Sequence, residues 1–165
     1  MRSFLVYVTV CLISFCLEGI MQHFPFTYYR IDLIWLLILY TGFFVPLVPG
    51  TLAVILMGLA QESVAVPFHG ILLLPFLTIY FFIRATHRHL FFYGRVPQLL
   101  WVLILTLVQK GITFGLLAWR GYGAPIGFGS LFGFSLLNGV SSLLFFPLIS
   151  KLKGLPEGMK ENYGT

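Results

Sequence analysis

Residues 31–70 constrain the fold of this chain most, because they read as two apolar runs joined by a short turn rich in proline and glycine. The first run follows Asp32, the turn covers residues 46–50, and the second run ends at Gln61 and Glu62. If one helix enters a membrane after Asp32 and the next returns before Glu62, both carboxylates lie on the same side. The pattern therefore predicts a membrane hairpin against which the other segments pack.

The composition argues against a water-soluble domain. Hydrophobic residues make up 59% of the 165 residues and charged residues only 9%, against roughly 25% charged residues in soluble domains. A span with its loop takes roughly 25 to 30 residues, so we expect an all-α integral membrane protein of about six transmembrane helices in one domain, residues 1–165. The predicted spans are 3–20, 31–45, 49–61, 69–83, 97–119 and 126–150.

The N-terminal apolar run at residues 3–17 has features of a signal peptide, since a single basic residue, Arg2, precedes it. No pair of small residues spaced as in a cleavage site follows, so we expect a retained helix. Cys11 and Cys16 lie inside this run, where neither a disulfide nor metal ligation is expected.

Basic residues predict the orientation. With six spans, Arg30 and Arg120 lie on one side, and seven Lys and Arg residues lie on the other: Arg2, Arg84, Arg88, Arg95, Lys151, Lys153 and Lys160. Since basic loops stay in the cytoplasm, both termini and the basic loop with Arg84, Arg88 and Arg95 are predicted to be cytoplasmic. We expect this loop to contact anionic lipid headgroups or a cytoplasmic partner. The basic residues flank apolar runs, so the net charge of +5 does not indicate nucleic-acid binding.

Four ionisable residues are predicted to lie in or beside the spans. Glu18, Asp32 and Glu62 fall at the outer ends of the first three spans, and Lys110 lies about two thirds of the way across the fifth. An unpaired charge in a membrane costs about 3 kcal/mol or more, so we expect Lys110 to pair with one of the three acids. The sequence leaves open which acid it is, and whether the cluster is a structural ion pair or a polar site for docking.

Small residues spaced four apart predict close helix packing in the last two spans. They are Gly111, Gly115, Gly129, Gly133, Ser135 and Gly139. The alternative is that these glycines face lipid without a partner. Asn138 lies among serines on the sixth span and offers interhelical hydrogen bonds worth roughly 1 kcal/mol each.

The sequence contains no motif that predicts catalysis. Neither Gly-x-Ser-x-Gly nor His-Glu-x-x-His occurs, and His87 and His89 beside arginines form an incomplete metal site. The inner halves of the spans carry no chain of titratable groups for a proton or ion pathway. We therefore predict a non-enzymatic protein without catalytic residues, metal or cofactor.

Several short motifs occur in a particular order along the chain. Arg30-Ile31-Asp32-Leu33 opens the second span after an aromatic loop, and Gly58-Leu59-Ala60-Gln61-Glu62 closes the third. Pro67-Phe68-His69-Gly70 follows, and the last span carries Asn138 and Phe146-Pro147. In this order the chain resembles the MreD family of rod-shape-determining proteins over roughly residues 1 to 153. Glu62 stands where that family usually has an aspartate, and Lys110 is not part of the family pattern.

The resemblance implies a scaffold of the bacterial elongation machinery in the inner membrane. Such a protein binds MreC and helps couple MreB filaments to RodA and its partner transpeptidase, and so to peptidoglycan synthesis and cell shape. It would contact membrane lipids and could form a homodimer within a larger assembly.

The family also looks similar in fold to the substrate-binding S components of energy-coupling-factor transporters, six helices around a central pocket. A vitamin-binding S component is therefore the alternative function. Those subunits dock through alanines on their first helix, and residues 3–17 contain none. The sequence leaves open whether a lipid or small molecule fills such a pocket.

Overall fold

The computed structural model describes residues 2–21, 31–65, 71–86, 95–121 and 128–152, and these residues form six α-helices and no strand. The helices are α1 (Arg2–Met21), α2 (Leu33–Phe44), α3 (Leu47–Ala65), α4 (Leu73–Thr86), α5 (Arg95–Trp119) and α6 (Phe128–Leu152). The all-α prediction is confirmed for this part of the chain. Each helix overlaps one predicted span, with ends that differ by a few residues.

Among the described residues, two helices are long and apolar enough to cross a membrane, at 95–119 and 129–151. α5 contains 25 residues and is about 37 Å long at about 1.5 Å per residue, which exceeds a hydrocarbon core of about 30 Å. α2 and α4 are apolar but contain only 12 and 14 residues, so they extend about 18 and 21 Å. These two helices alone do not reach across such a core.

The shortest helix lies at the centre of the fold. α2 packs against α1, α3, α4 and α6, and its residues from Ile34 to Gly42 are all buried. A helix that is apolar on every side is expected to be surrounded by other elements. α5 and α6 pack along each other beside this centre, and large apolar side chains such as Leu56 and Leu144 point outward.

The turn between α2 and α3 is held by two side chains of α4. Arg84 donates to the carbonyl oxygens of Val45, at 3.1 Å, and Gly42, at 3.4 Å, so it binds carbonyls that the end of α2 leaves without helical partners. The Tyr80 hydroxyl donates to the Leu47 carbonyl oxygen at 3.1 Å. A Cβ atom on Gly50, in the first turn of α3, would lie 2.6 Å from the same hydroxyl, so the start of α3 passes too close to α4 for a larger residue.

Candidate functional site

Asp32 joins three helices through its backbone and both carboxylate oxygens. Its Oδ1 accepts from the Trp35 backbone N–H at 2.9 Å and so caps α2, as aspartate commonly does at a helix N-terminus. Its own N–H donates to Asn138 Oδ1 on α6 at 2.9 Å. Its Oδ2 lies 3.5 Å from Lys110 Nζ on α5. Asp32 therefore fixes the start of α2 against the α5–α6 pair.

Lys110 has two kinds of neighbour. Its ammonium forms the ion pair with Asp32, and it lies 4.6 Å from the centre of the Phe134 ring on α6, where an aromatic face attracts a cation. The Asp32 side chain is 4% exposed and that of Lys110 21% exposed. The ion pair is thus largely buried. Of the acids that the sequence left open, Asp32 is the one that pairs with Lys110.

Glu62 has a different role, at the start of α4. Its Oε1 accepts from the backbone N–H groups of Leu72 and Leu73, each at 2.8 Å, and the side chain is buried. A carboxylate at the start of α4 satisfies N–H groups that lack helical partners and is stabilised by the helix dipole. The side chain of Glu18, the remaining member of the predicted cluster, is outside the part of α1 that the structure describes.

A polar stripe on α5 continues the site along the helix. Thr106, Gln109 and Thr113 are all buried, and their spacing of three and four residues places them on one face. Thr106 Oγ1 accepts from Trp35 Nε1 at 2.8 Å. The indole of the central helix is thereby tied to α5 close to the ion pair.

The predicted packing glycines divide into two groups. Gly139 is buried, and a Cβ atom there would lie 3.3 Å from the Leu99 carbonyl oxygen, so α5 and α6 approach closely at this point. Gly133 is half-buried. In contrast, Gly111, Gly115 and Gly129 are exposed, and an added Cβ would meet no atom within 4 Å. These three face outward and pack against no neighbouring helix in the described part of the chain.

The basic residues of the predicted cytoplasmic contact differ in exposure. Arg84 is half-buried and binds the α2–α3 turn, whereas Arg95 is exposed at the start of α5. Arg88 lies outside the described residues, as do His87, His89 and the motif at 67–70.

Sequence reasoning missed the polar residues of α5 and their partners. Besides Trp35 and Thr106, Gln98 Nε2 donates to the Ser142 carbonyl oxygen on α6 at 2.8 Å. The three-and-four spacing of polar residues within an apolar span was the available signal, since it predicts a buried polar stripe.

The site offers charge pairing and hydrogen bonding between helices. In the part of the chain that the structure describes, no three His, Cys, Asp or Glu side chains lie close enough to hold a metal ion. The comparisons identify no relative: no protein-family model, curated protein or solved structure matches the chain.

Proposed function

We propose that this protein is a membrane scaffold of the bacterial elongation machinery, similar to the MreD family, with six transmembrane helices and both termini in the cytoplasm. It binds MreC and, with MreB, RodA and the partner transpeptidase in the same complex, helps couple cytoplasmic filaments to peptidoglycan synthesis. Its action consists of holding partners in place.

One observation carries the proposal: residues of the motifs that suggested the family hold helices together. Asp32 and Asn138 come from separate motifs and meet at 2.9 Å between α2 and α6. Glu62, from a third motif, caps α4 from α3. Residues from three of the motifs therefore have structural roles between helices, and this supports the resemblance.

A scaffold also needs a surface for a partner, and the outward face of α5 fits a transmembrane helix. This α5 face consists of residues three or four apart, all exposed: Leu100, Ile104, Val108, Gly111, Gly115 and Trp119. Gly111 and Gly115 leave space for another backbone to approach, as in helix pairs with small residues four apart. We propose that the membrane helix of MreC binds here.

Co-purification from the native membrane, with mass spectrometry of the recovered proteins, tests this function. We expect MreC with the wild-type protein and about tenfold less MreC with Gly111→Leu or Gly115→Leu, which corresponds to about 1.4 kcal/mol of binding free energy. Gly19→Leu on α1 is the matched control, because a Cβ atom at Gly19 also meets nothing within 4 Å. It should recover MreC as the wild type does.

Two results would count against the proposal in different ways. Wild-type recovery of MreC with both Gly111→Leu and Gly115→Leu would exclude the α5 face while leaving the scaffold. Recovery of two cytoplasmic ATPases and a second membrane subunit, without MreC, would instead identify an S component of an energy-coupling-factor transporter.

A further inference from the structure

A groove runs along the exposed side of α4. It encloses about 400 Å³, and all the residues that line it belong to this helix: Leu73, Leu74, Leu77, Thr78 and Phe81. Residues four apart on a helix form ridges, so Leu73, Leu77 and Phe81 make one wall, and Leu74 and Thr78 make the other. From Leu73 to Phe81 the groove is about 12 Å long, at about 1.5 Å per residue.

The lining of the groove selects an apolar occupant. It contains no charged residue, and its one polar side chain, Thr78, donates its hydroxyl proton to the Leu74 carbonyl oxygen of its own helix at 2.8 Å. Helix pairs in membranes favour small residues at their contact, but this lining contains no glycine, alanine or serine. A flexible acyl chain therefore fits the groove better than a polar ligand or another transmembrane helix.

The length of the groove matches one leaflet of a membrane. Half of a hydrocarbon core of about 30 Å is about 15 Å, and the groove extends about 12 Å along α4. One acyl chain from one leaflet can therefore lie along it, with the headgroup of its lipid beyond one of the two ends.

The charges at the two ends determine where that headgroup lies. At one end Glu62 Oε1 lies 2.8 Å from the Leu73 backbone nitrogen, and a carboxylate there repels a phosphate. At the other end Arg84 follows Phe81 by three residues and so lies beside it on the helix surface. The bonds from Arg84 to the α2–α3 turn are both made by Nη1, whereas a guanidinium carries five N–H donors and pairs well with phosphate.

We propose that this α4 groove binds one acyl chain of a phospholipid with a net negative headgroup, and that the phosphate lies at Arg84. The lipid belongs to the leaflet on the Arg84 side, whichever way the chain is oriented in the membrane. The site requires α4 to lie in a membrane but does not depend on MreC. It lies on α4 and the proposed MreC contact lies on α5, so either can fail without the other.

Native mass spectrometry of the full chain in detergent tests the site, with equal amounts of dioleoyl phosphatidylglycerol and dioleoyl phosphatidylcholine added together. We expect the wild type to retain phosphatidylglycerol about tenfold over phosphatidylcholine, as one charge-assisted contact provides. Thr78→Phe places a ring in the middle of the groove and should lower phosphatidylglycerol retention about tenfold, because chain contacts are lost. Val140→Phe on α6 is the matched control, since valine has the shape of threonine and Val140 is also exposed. It should retain the lipid as the wild type does.

Arg84→Gln tests the headgroup position. Glutamine keeps an N–H donor for the α2–α3 turn and removes the charge, so this variant should retain the two lipids about equally. A continued preference for phosphatidylglycerol would overturn the assignment of the phosphate to Arg84. If this variant does not fold, Thr78→Phe decides, because its changed residue is exposed and bonds only to its own helix.

Three other results would overturn the proposal. The first is wild-type retention of phosphatidylglycerol by Thr78→Phe, and the second is an equal loss in Val140→Phe, since binding would then not depend on the groove. The third is a bound protein, in place of lipid, that is extracted with the wild type from the native membrane and lost from Thr78→Phe. That result would place a partner helix in the groove.

Discussion

The ion pair between Asp32 and Lys110 gives the sharpest prediction for the stability of the fold. Two unit charges 3.5 Å apart attract by about 5 kcal/mol at an effective dielectric constant of about 20. The net coupling is smaller, because Lys110 is 21% exposed and its long side chain moves the charge outward when Asp32 is lost. We expect a net coupling of about 2 kcal/mol.

The perturbation is a double-mutant cycle with Asp32→Asn and Lys110→Met. Asn keeps an oxygen that can cap α2, so this change removes the charge and retains the cap. Lys110→Met leaves the carboxylate, 4% exposed, buried without its partner and should cost about 3 kcal/mol or more. Asp32→Asn should cost less, about 2 kcal/mol, because the lysine side chain is long enough to move its charge outward. The double variant removes both charges and leaves neither unpaired.

Reversible unfolding of the full chain in mixed micelles, followed by tryptophan fluorescence, measures the four free energies. We expect the double variant to be more stable than the sum of the single variants predicts, by about 2 kcal/mol. Single effects that add to within about 0.5 kcal/mol would refute the argument, since they would mean that the two charges do not stabilise each other.

Three further changes test other contacts of the fold in the same unfolding assay. Glu62→Ala removes the acceptor for two N–H groups at 2.8 Å and should cost about 3 kcal/mol, whereas Glu62→Gln keeps an acceptor oxygen and should cost about 1 kcal/mol; equal costs would contradict this capping role. Gly50→Ala places a Cβ atom 2.6 Å from the Tyr80 hydroxyl and should cost about 1 to 3 kcal/mol, with part of the loss recovered by Tyr80→Phe; no recovery would exclude this clash. Trp35→Phe removes the indole N–H that binds Thr106 at 2.8 Å and leaves a cavity in the buried core, so it should cost about 2 kcal/mol, and no loss would mean that this bond adds no stability.

The helical class was predictable because apolar runs without charge leave few alternatives. The predicted spans 31–45 and 69–83 come close to α2 and α4, which contain 12 and 14 residues and are shorter than a full span requires. α2 begins at Asp32 because the carboxylate caps it, and the chain turns at Val45 and Pro46, since proline cannot supply the backbone N–H that would continue the helix. Length within an apolar run depends on such local signals as well as on hydropathy.

The site was predictable only as a set of candidates. The cost of an isolated charge required a partner for Lys110, yet Glu18, Asp32 and Glu62 were equivalent in sequence. The fold separates them, since the cap of α2 places Asp32 beside α5 while Glu62 binds the start of α4. The packing role of the glycines was not predictable either. Spacing places Gly111 and Gly139 on helix faces, but it does not determine which face a neighbouring helix covers, and in the fold only Gly139 of these two contacts one.

The most direct test of the scaffold is photo-crosslinking in the native membrane from the face that we assign to MreC. A photoreactive phenylalanine derivative replaces Val108 on the α5 face, which is 47% exposed, and in a second strain it replaces Leu12 on α1, which is 60% exposed. The proposal predicts a crosslink to MreC from position 108 and none from position 12. Crosslinks to MreC from position 12 alone would place the partner on a different face, and no MreC crosslink from either position would contradict the proposed function.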